Sequence, residues 1–250
     1  MGKIINMDRK EAIVMYYSGM RYGYGYGIDP MYILVILMAI LCMIASARVS
    51  SVYRKYAKVR SMSGLTGAQA AMEILRRNGI NDVTVQHVPG NLTDHYDPRN
   101  KTVNLSDATY GSNSVAAVGV AAHECGHVLQ HYNAYLPLQI RTAILPAANI
   151  GSKAGIPILI LGMFLSLRPL ITFGILVFSL AVLFQVVTLP VEFNASRRAL
   201  VMLEDYGILG HEEIADSRKV LTAAAMTYVA SAASAVVQLL RLIMLNNRRR

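Results

Sequence analysis

Apolar and polar positions fall in long blocks along this chain. Met31 to Ala47 is an unbroken apolar run of about 17 residues, the short end of what crosses a bilayer. A polar stretch follows to about residue 140. Ile144 to Leu165 and Leu170 to Val191 are two further long apolar runs, parted by a link holding Arg168 and Pro169, the pattern of a membrane hairpin. Residues 192–220 turn polar and charged again. Leu221 to Leu245 is a last apolar stretch, rich in Ala and Ser first and in Leu and Ile afterwards. The blocks predict a mostly α-helical membrane protein with three or four transmembrane helices. Its units are a Tyr/Gly-rich tail (1–29), a first span (30–48), a polar portion (49–140), the hairpin (141–191), a polar segment (192–220), an apolar helix that either crosses or packs (221–245), and a basic end (246–250).

Within the polar portion the local signals are specific. Thr66-Gly-Ala-Gln69 has the capping-box spacing that starts a helix, and Gly79 is placed to end it. Val83, Val85 and His87 alternate with polar residues as in a strand. Asp97-Pro-Arg-Asn100 is a turn, joining an extended segment with His95 and Tyr96 to another over Lys101–Leu105. Ser114 caps a helix of small residues that runs through His131.

Composition sharpens the membrane reading. Hydrophobic residues are 54% and charged residues 16% of the chain, against about 25% charged in soluble domains. The net charge of +9 sits largely beside apolar runs, at Arg48–Arg60 and Arg248–Arg250, where lipid head groups meet it. No aromatic-interleaved basic patch points to nucleic acid, which is not an expected partner; the lipid bilayer is. Ala45-Ser46-Ala47 resembles a cleavage site, but the long, mixed segment before the run favours an uncleaved signal-anchor. The cations after the first run place the following polar segment, residues 49–140, on the cytoplasmic face. Four crossings would then put Arg248–Arg250 outside. Either the last run does not cross, or the first span dominates orientation. Cys42 and Cys125 lack metal-site spacing, and Cys125 reads as a packing residue.

The chemistry lies in His123-Glu-Cys-Gly-His127, an HExxH pattern. Residues four apart share a helix face, so both imidazoles can reach one zinc ion. Glu124 stands beside that ion, placed as a general base for a water whose pKa the metal lowers. A third ligand is needed. His131 is too close to supply it in the metzincin manner and is expected to face solvent. Glu192, at the end of the hairpin, is the candidate, because two crossings bring it back to the membrane face of the HExxH helix. Such a carboxylate is costly at a membrane boundary unless paired or metal-bound. Glu204, Glu212 and Glu213 lie in more ordinary polar sequence, and the competing role for Glu192 is a salt bridge to Arg197 or Arg198.

Three blocks together, Leu92-Thr-Asp-His-Tyr-Asp-Pro-Arg-Asn-Lys-Thr-Val-Asn-Leu-Ser106, Val120–His127 and Pro190-Val-Glu-Phe-Asn-Ala-Ser-Arg-Arg-Ala199, resemble the YugP-like family of bacterial membrane neutral zinc metallopeptidases. The resemblance runs from about residue 30 onward. More distantly the chain is similar to HtpX-type membrane proteases, which implies a gluzincin-like α+β peptidase portion with a short β-hairpin or sheet. It also implies one Zn2+ per chain on His123, His127 and Glu192, and a bacterial or archaeal cell membrane. Where the HtpX-type pattern has an Asp orienting a histidine, this chain has Ser196, so that role is expected to pass to Asn194 or Asp205. The same arrangement makes His95–Val103 a candidate edge for strand addition by a peptide.

The expected reaction is peptide-bond hydrolysis in a peptide, unfolded or membrane-protein substrate, with Glu124 as base. Candidates for the oxyanion donor are His95, Tyr96, Arg197 and His211. The alternative is a zinc-binding membrane protein that serves as a non-catalytic, chaperone-like binding module.

Overall fold

The computed structural model describes residues 30–248, so the N-terminal tail and the last two arginines lie outside the described residues. Its helices are α1 (Pro30–Tyr56), α2 (Gly67–Arg77), α3 (Val115–Tyr132), α4 (Leu136–Phe164), α5 (Arg168–Asp205) and α6 (His211–Arg248). Its strands are β1 (Thr84–Val88), β2 (His95–Asp97) and β3 (Thr102–Ser106). Four helices, α1, α4, α5 and α6, are long and apolar enough to cross a membrane. At 1.5 Å per residue, the 27 residues of α1 rise about 40 Å, more than the ~30 Å hydrocarbon layer.

The local signals of the polar portion produce the elements they predict. Thr66 accepts from the Gln69 amide while the Gln69 side chain accepts from the Thr66 amide, and Gly79 follows α2 in the left-handed conformation. Asp97 accepts from the Arg99 amide at 2.9 Å and the Asn100 side chain at 2.7 Å, closing the β2–β3 turn. β3 is the central strand, parallel to β1 and antiparallel to β2. The expected His95–Val103 edge is therefore shorter than drawn: β2 is an edge, whereas β3 is paired on both sides. The Ser114 hydroxyl accepts from Ala117 and caps α3.

The apolar blocks are less separate than their boundaries in the sequence. α5 continues through Pro190 to Asp205, so the 191/192 boundary falls inside one helix. Likewise 140/141 falls inside α4 and 220/221 inside α6. The reason is packing. Leu200 and Leu203 of α5 and Ile214 and Leu221 of α6 join Ile74, Leu105 and Val118 in one buried core. The long apolar helices thus project into the polar portion and carry its core.

Glycines set the hairpin spacing. A Cβ on Gly155 would lie 2.9 Å from Phe178, and one on Gly174 2.7 Å from the Leu159 nitrogen. α6 runs the whole height beside this hairpin. Its Arg241 lies over the Tyr32 ring at the start of α1, Leu242 packs with Leu159 and Ile171, and the Asn246 amide donates to Thr172. The last apolar run is therefore as deep as the other three. Among the described residues its far end meets the α4–α5 turn, the end away from the three-stranded sheet.

Candidate metal centre

α3 carries His123, Glu124 and His127 on adjacent turns, with ring centroids of the two imidazoles 4.8 Å apart. α5 brings Glu192 opposite them. Glu192 stands 24 residues into α5, about 36 Å from its start, a rise longer than a ~30 Å hydrocarbon layer. Gly126 makes the approach possible: a Cβ there would lie 2.6 Å from the Ala195 carbonyl oxygen. Glu192 Oε2 is 3.3 Å from His123 Nε2 and 3.7 Å from His127 Nε2. One ligand atom from each of these residues falls within 4.8 Å of the others.

The far nitrogen of each ring is also held. Gln130 donates from Nε2 to the Val191 carbonyl at 2.8 Å and to Asn194 Oδ1 at 3.0 Å. Its Oε1 therefore faces His127 Nδ1, at 3.0 Å, and can only accept. The proton sits on Nδ1, and the Nε2 lone pair turns toward Glu192. Ser196 Oγ lies 3.1 Å from His123 Nδ1 and can do the same for the other ring. Burial presses the His127 pKa down, but the Glu192 carboxylate, the Glu124 charge and Gln130 together hold it above its ordinary value.

These observations test the fit of a cation. Glu192 is 3% exposed, and its Oε2 is buried with no hydrogen-bond partner. A buried carboxylate oxygen without a donor is costly. Two imidazole nitrogens and this oxygen form an N2O donor set of the kind catalytic zinc takes, with room for a fourth group. The residues fit zinc. Oε1 is served separately, by Arg141 Nη1 at 3.7 Å. Glu192 thus pairs with an arginine of α4, not with Arg197 or Arg198.

A cavity of about 470 Å³ opens beside the three residues, walled by Ser46 and Ser50 of α1, Asp94, Glu124, and Thr227 and Tyr228 of α6. The other candidate residues lie elsewhere. His95 bonds the Thr93 carbonyl and Asn104, and Tyr96 meets His131, so neither lines the cavity. Burial, then the neighbouring Tyr132, pushes the Tyr96 phenol up to about 12. Arg197 lines a different hollow with Asn78 and Leu129. The His211 side chain is 94% exposed beside Glu204. Asn194 accepts from Gln130 and from Arg198 Nε at 2.9 Å, one bond removed from His127. Ser196, four residues past Glu192 on the same face, itself lies beside His123 Nδ1, whereas Asn194 reaches only His127, through Gln130. Cys125 is fully buried against the Ala71 carbonyl, and burial pushes its thiol up.

Three partners escape sequence reasoning. Gln130 stands three residues past His127, a same-face spacing that could have flagged it. Arg141 and Tyr228 come from helices whose placement only the fold supplies.

A family model described as "Putative neutral zinc metallopeptidase" matches residues 31–247, which takes in the metal cluster and all four long apolar helices. The chain belongs to this family. Its His123–His127–Glu192 cluster stands where the long apolar helices meet the small α+β portion. The "Putative membrane protease YugP" of Bacillus subtilis (strain 168) is 47% identical over 202 residues, 80% of this chain and 89% of that protein. No solved structure matches.

Proposed function

We propose that this metallopeptidase hydrolyses peptide bonds at the cytoplasmic boundary of the membrane, with zinc held by His123, His127 and Glu192 and with Glu124 as the base. The observation that carries the proposal is the buried, unpartnered Oε2 of Glu192 facing two imidazole nitrogens at 3.3 and 3.7 Å. When bound, zinc supplies a Lewis acid that makes water a nucleophile near neutral pH. Glu124, buried and lining the same cavity, takes the proton of the attacking water on its carboxylate and returns it to the leaving amine. Tyr228 lines the cavity with Glu124 and Glu192, and its phenol donates to the oxygen that gains charge. This donor replaces His95, Tyr96, Arg197 and His211, none of which lines the cavity.

Substrate access is supported by the approach to β2. Leu92 and Asp94 wall the cavity and lead into β2, whose outer edge is unpaired among the described strands. Asp94 is held by the Ser106 amide at 2.8 Å and hydroxyl at 2.9 Å, which fixes this approach. An unfolded segment, soluble or freed from a membrane protein, adds along that edge.

The test is cleavage of an unfolded soluble protein and of a single-span membrane protein by wild type and Glu124→Gln, both shown to hold zinc. Loss of a general base lowers the rate by about 10²–10⁴-fold. Equal rates for wild type and zinc-holding Glu124→Gln contradict the assignment of Glu124.

A further inference from the structure

α1 and α6 run antiparallel, and their two faces wall two cavities that share no residue. One is the metal cavity. The other is a groove of about 790 Å³ on the opposite face, within the range of ligand pockets. Its lining is segregated along the membrane normal. At the peptidase end stand Arg48 and Lys55 of α1 with Arg218 and Lys219 of α6. Lys219 shares its charge with Asp216, at 2.8 Å, but no acidic residue lines the groove. Away from that end the walls are Met38, Leu41 and Ile44 facing Met226, Val229 and Ala233.

We infer that this groove binds one anionic glycerophospholipid, its phosphate among the four cations and an acyl chain along the apolar walls. Two features select this occupant. The cations cluster at one end only, which complements an amphiphile with its negative charge at one end. The apolar part runs from Arg48 to Met38, ten residues or about 15 Å, half of a ~30 Å hydrocarbon layer and so one leaflet deep. A transmembrane helix of a partner would need a groove of full height. The chemistry is independent of the peptidase reaction and can be read without any activity.

The experiment is native mass spectrometry of the full-length, zinc-loaded chain, delipidated in detergent and titrated with phosphatidylglycerol or phosphatidylcholine of identical acyl chains. Phosphatidylglycerol is expected to be retained as one tight adduct, and phosphatidylcholine to dissociate. Each groove cation contributes about fivefold, so Arg48→Gln with Arg218→Gln should weaken retention about 25-fold. Arg54→Gln with Lys58→Gln removes the same charge near the same level but outside the groove, and should leave retention unchanged. Ala233→Phe fills the apolar part and should abolish the adduct with every cation intact. Retained zinc and a monodisperse peak show that a variant has folded. The inference is overturned if phosphatidylcholine binds as tightly, or if the two charge pairs weaken binding equally. It is also overturned if glycerol phosphate alone displaces the lipid, or if a dimer sensitive to Ala233→Phe occupies the groove instead.

Discussion

Gln130→Leu isolates the hydrogen bonds that aim His127. Leu is close to Gln in size and the site is fully buried, so the change removes polar contacts without opening a large cavity. Three contacts go: Nε2 to the Val191 carbonyl, Nε2 to Asn194 Oδ1, and Oε1 to His127 Nδ1. Asn194 keeps Arg198 Nε at 2.9 Å, and Val191 lies within a continuous helix. The group left orphaned is the His127 Nδ1–H. An unmet buried donor costs about 1–3 kcal/mol. Loss of an outer hydrogen bond to a metal-ligating histidine typically weakens metal binding by ~10–100-fold, which is about 1.4–2.7 kcal/mol. The two magnitudes agree. The assay is zinc titration against a chromophoric chelator in detergent, with thermal unfolding in parallel. Gln130→Glu keeps an acceptor for His127 but sets carboxylate oxygens against Val191 O and Asn194 Oδ1, so it should lose more fold stability than zinc affinity. A folded Gln130→Leu protein that binds zinc as wild type does would refute the claim that Gln130 fixes the imidazole.

Gly126→Ala puts a Cβ 2.6 Å from the Ala195 backbone oxygen, which no side-chain rotation relieves, so thermal unfolding should report a loss of about 1–3 kcal/mol together with weaker zinc binding. Gly111→Ala, with nothing within 4 Å, should leave both unchanged. Tyr228→Phe should keep zinc and lower kcat more than it raises KM, by about 10²-fold, when cleavage is followed on an unfolded substrate; a change confined to KM would place Tyr228 in substrate binding only. Hydrogen bonds from Arg76 and then Arg77 pull Glu73 from 4.5 to about 2. Its folded-state pKa is depressed, so its stabilisation is present above the unfolded value and is lost as pH falls from about 4.5 toward 2. Wild type should therefore lose more stability than Glu73→Gln between those pH values, by denaturant unfolding at each pH.

Much of the fold is legible from local chemistry. The Thr66 capping box, the Ser114 cap and the Asp97 turn each act within about four residues, so the sequence around them suffices. The HExxH pattern and Glu192 are legible because helix periodicity and a two-crossing hairpin are simple geometry. Gln130 aside, what escapes is long-range. Ser196 serves His123 across 73 positions, and Arg141 reaches Glu192 from another helix. Tyr228 enters the site because α6 packs against α1 and α5, which no local pattern specifies. The polar segment after residue 191 misleads for a related reason. Beyond the buried Glu192, Arg197, Glu204 and Asp205 face outward while Ala195, Ala199 and Leu203 bury inward, so one long helix reads as a change of domain.

Metal content of the detergent-purified chain, prepared without chelators and measured by mass spectrometry for wild type and Glu192→Ala, tests the centre of this account most directly. About one zinc per wild-type chain, lost in folded Glu192→Ala, is the predicted result. A metal-free wild type, or a Glu192→Ala protein that holds zinc as tightly as wild type, would contradict it.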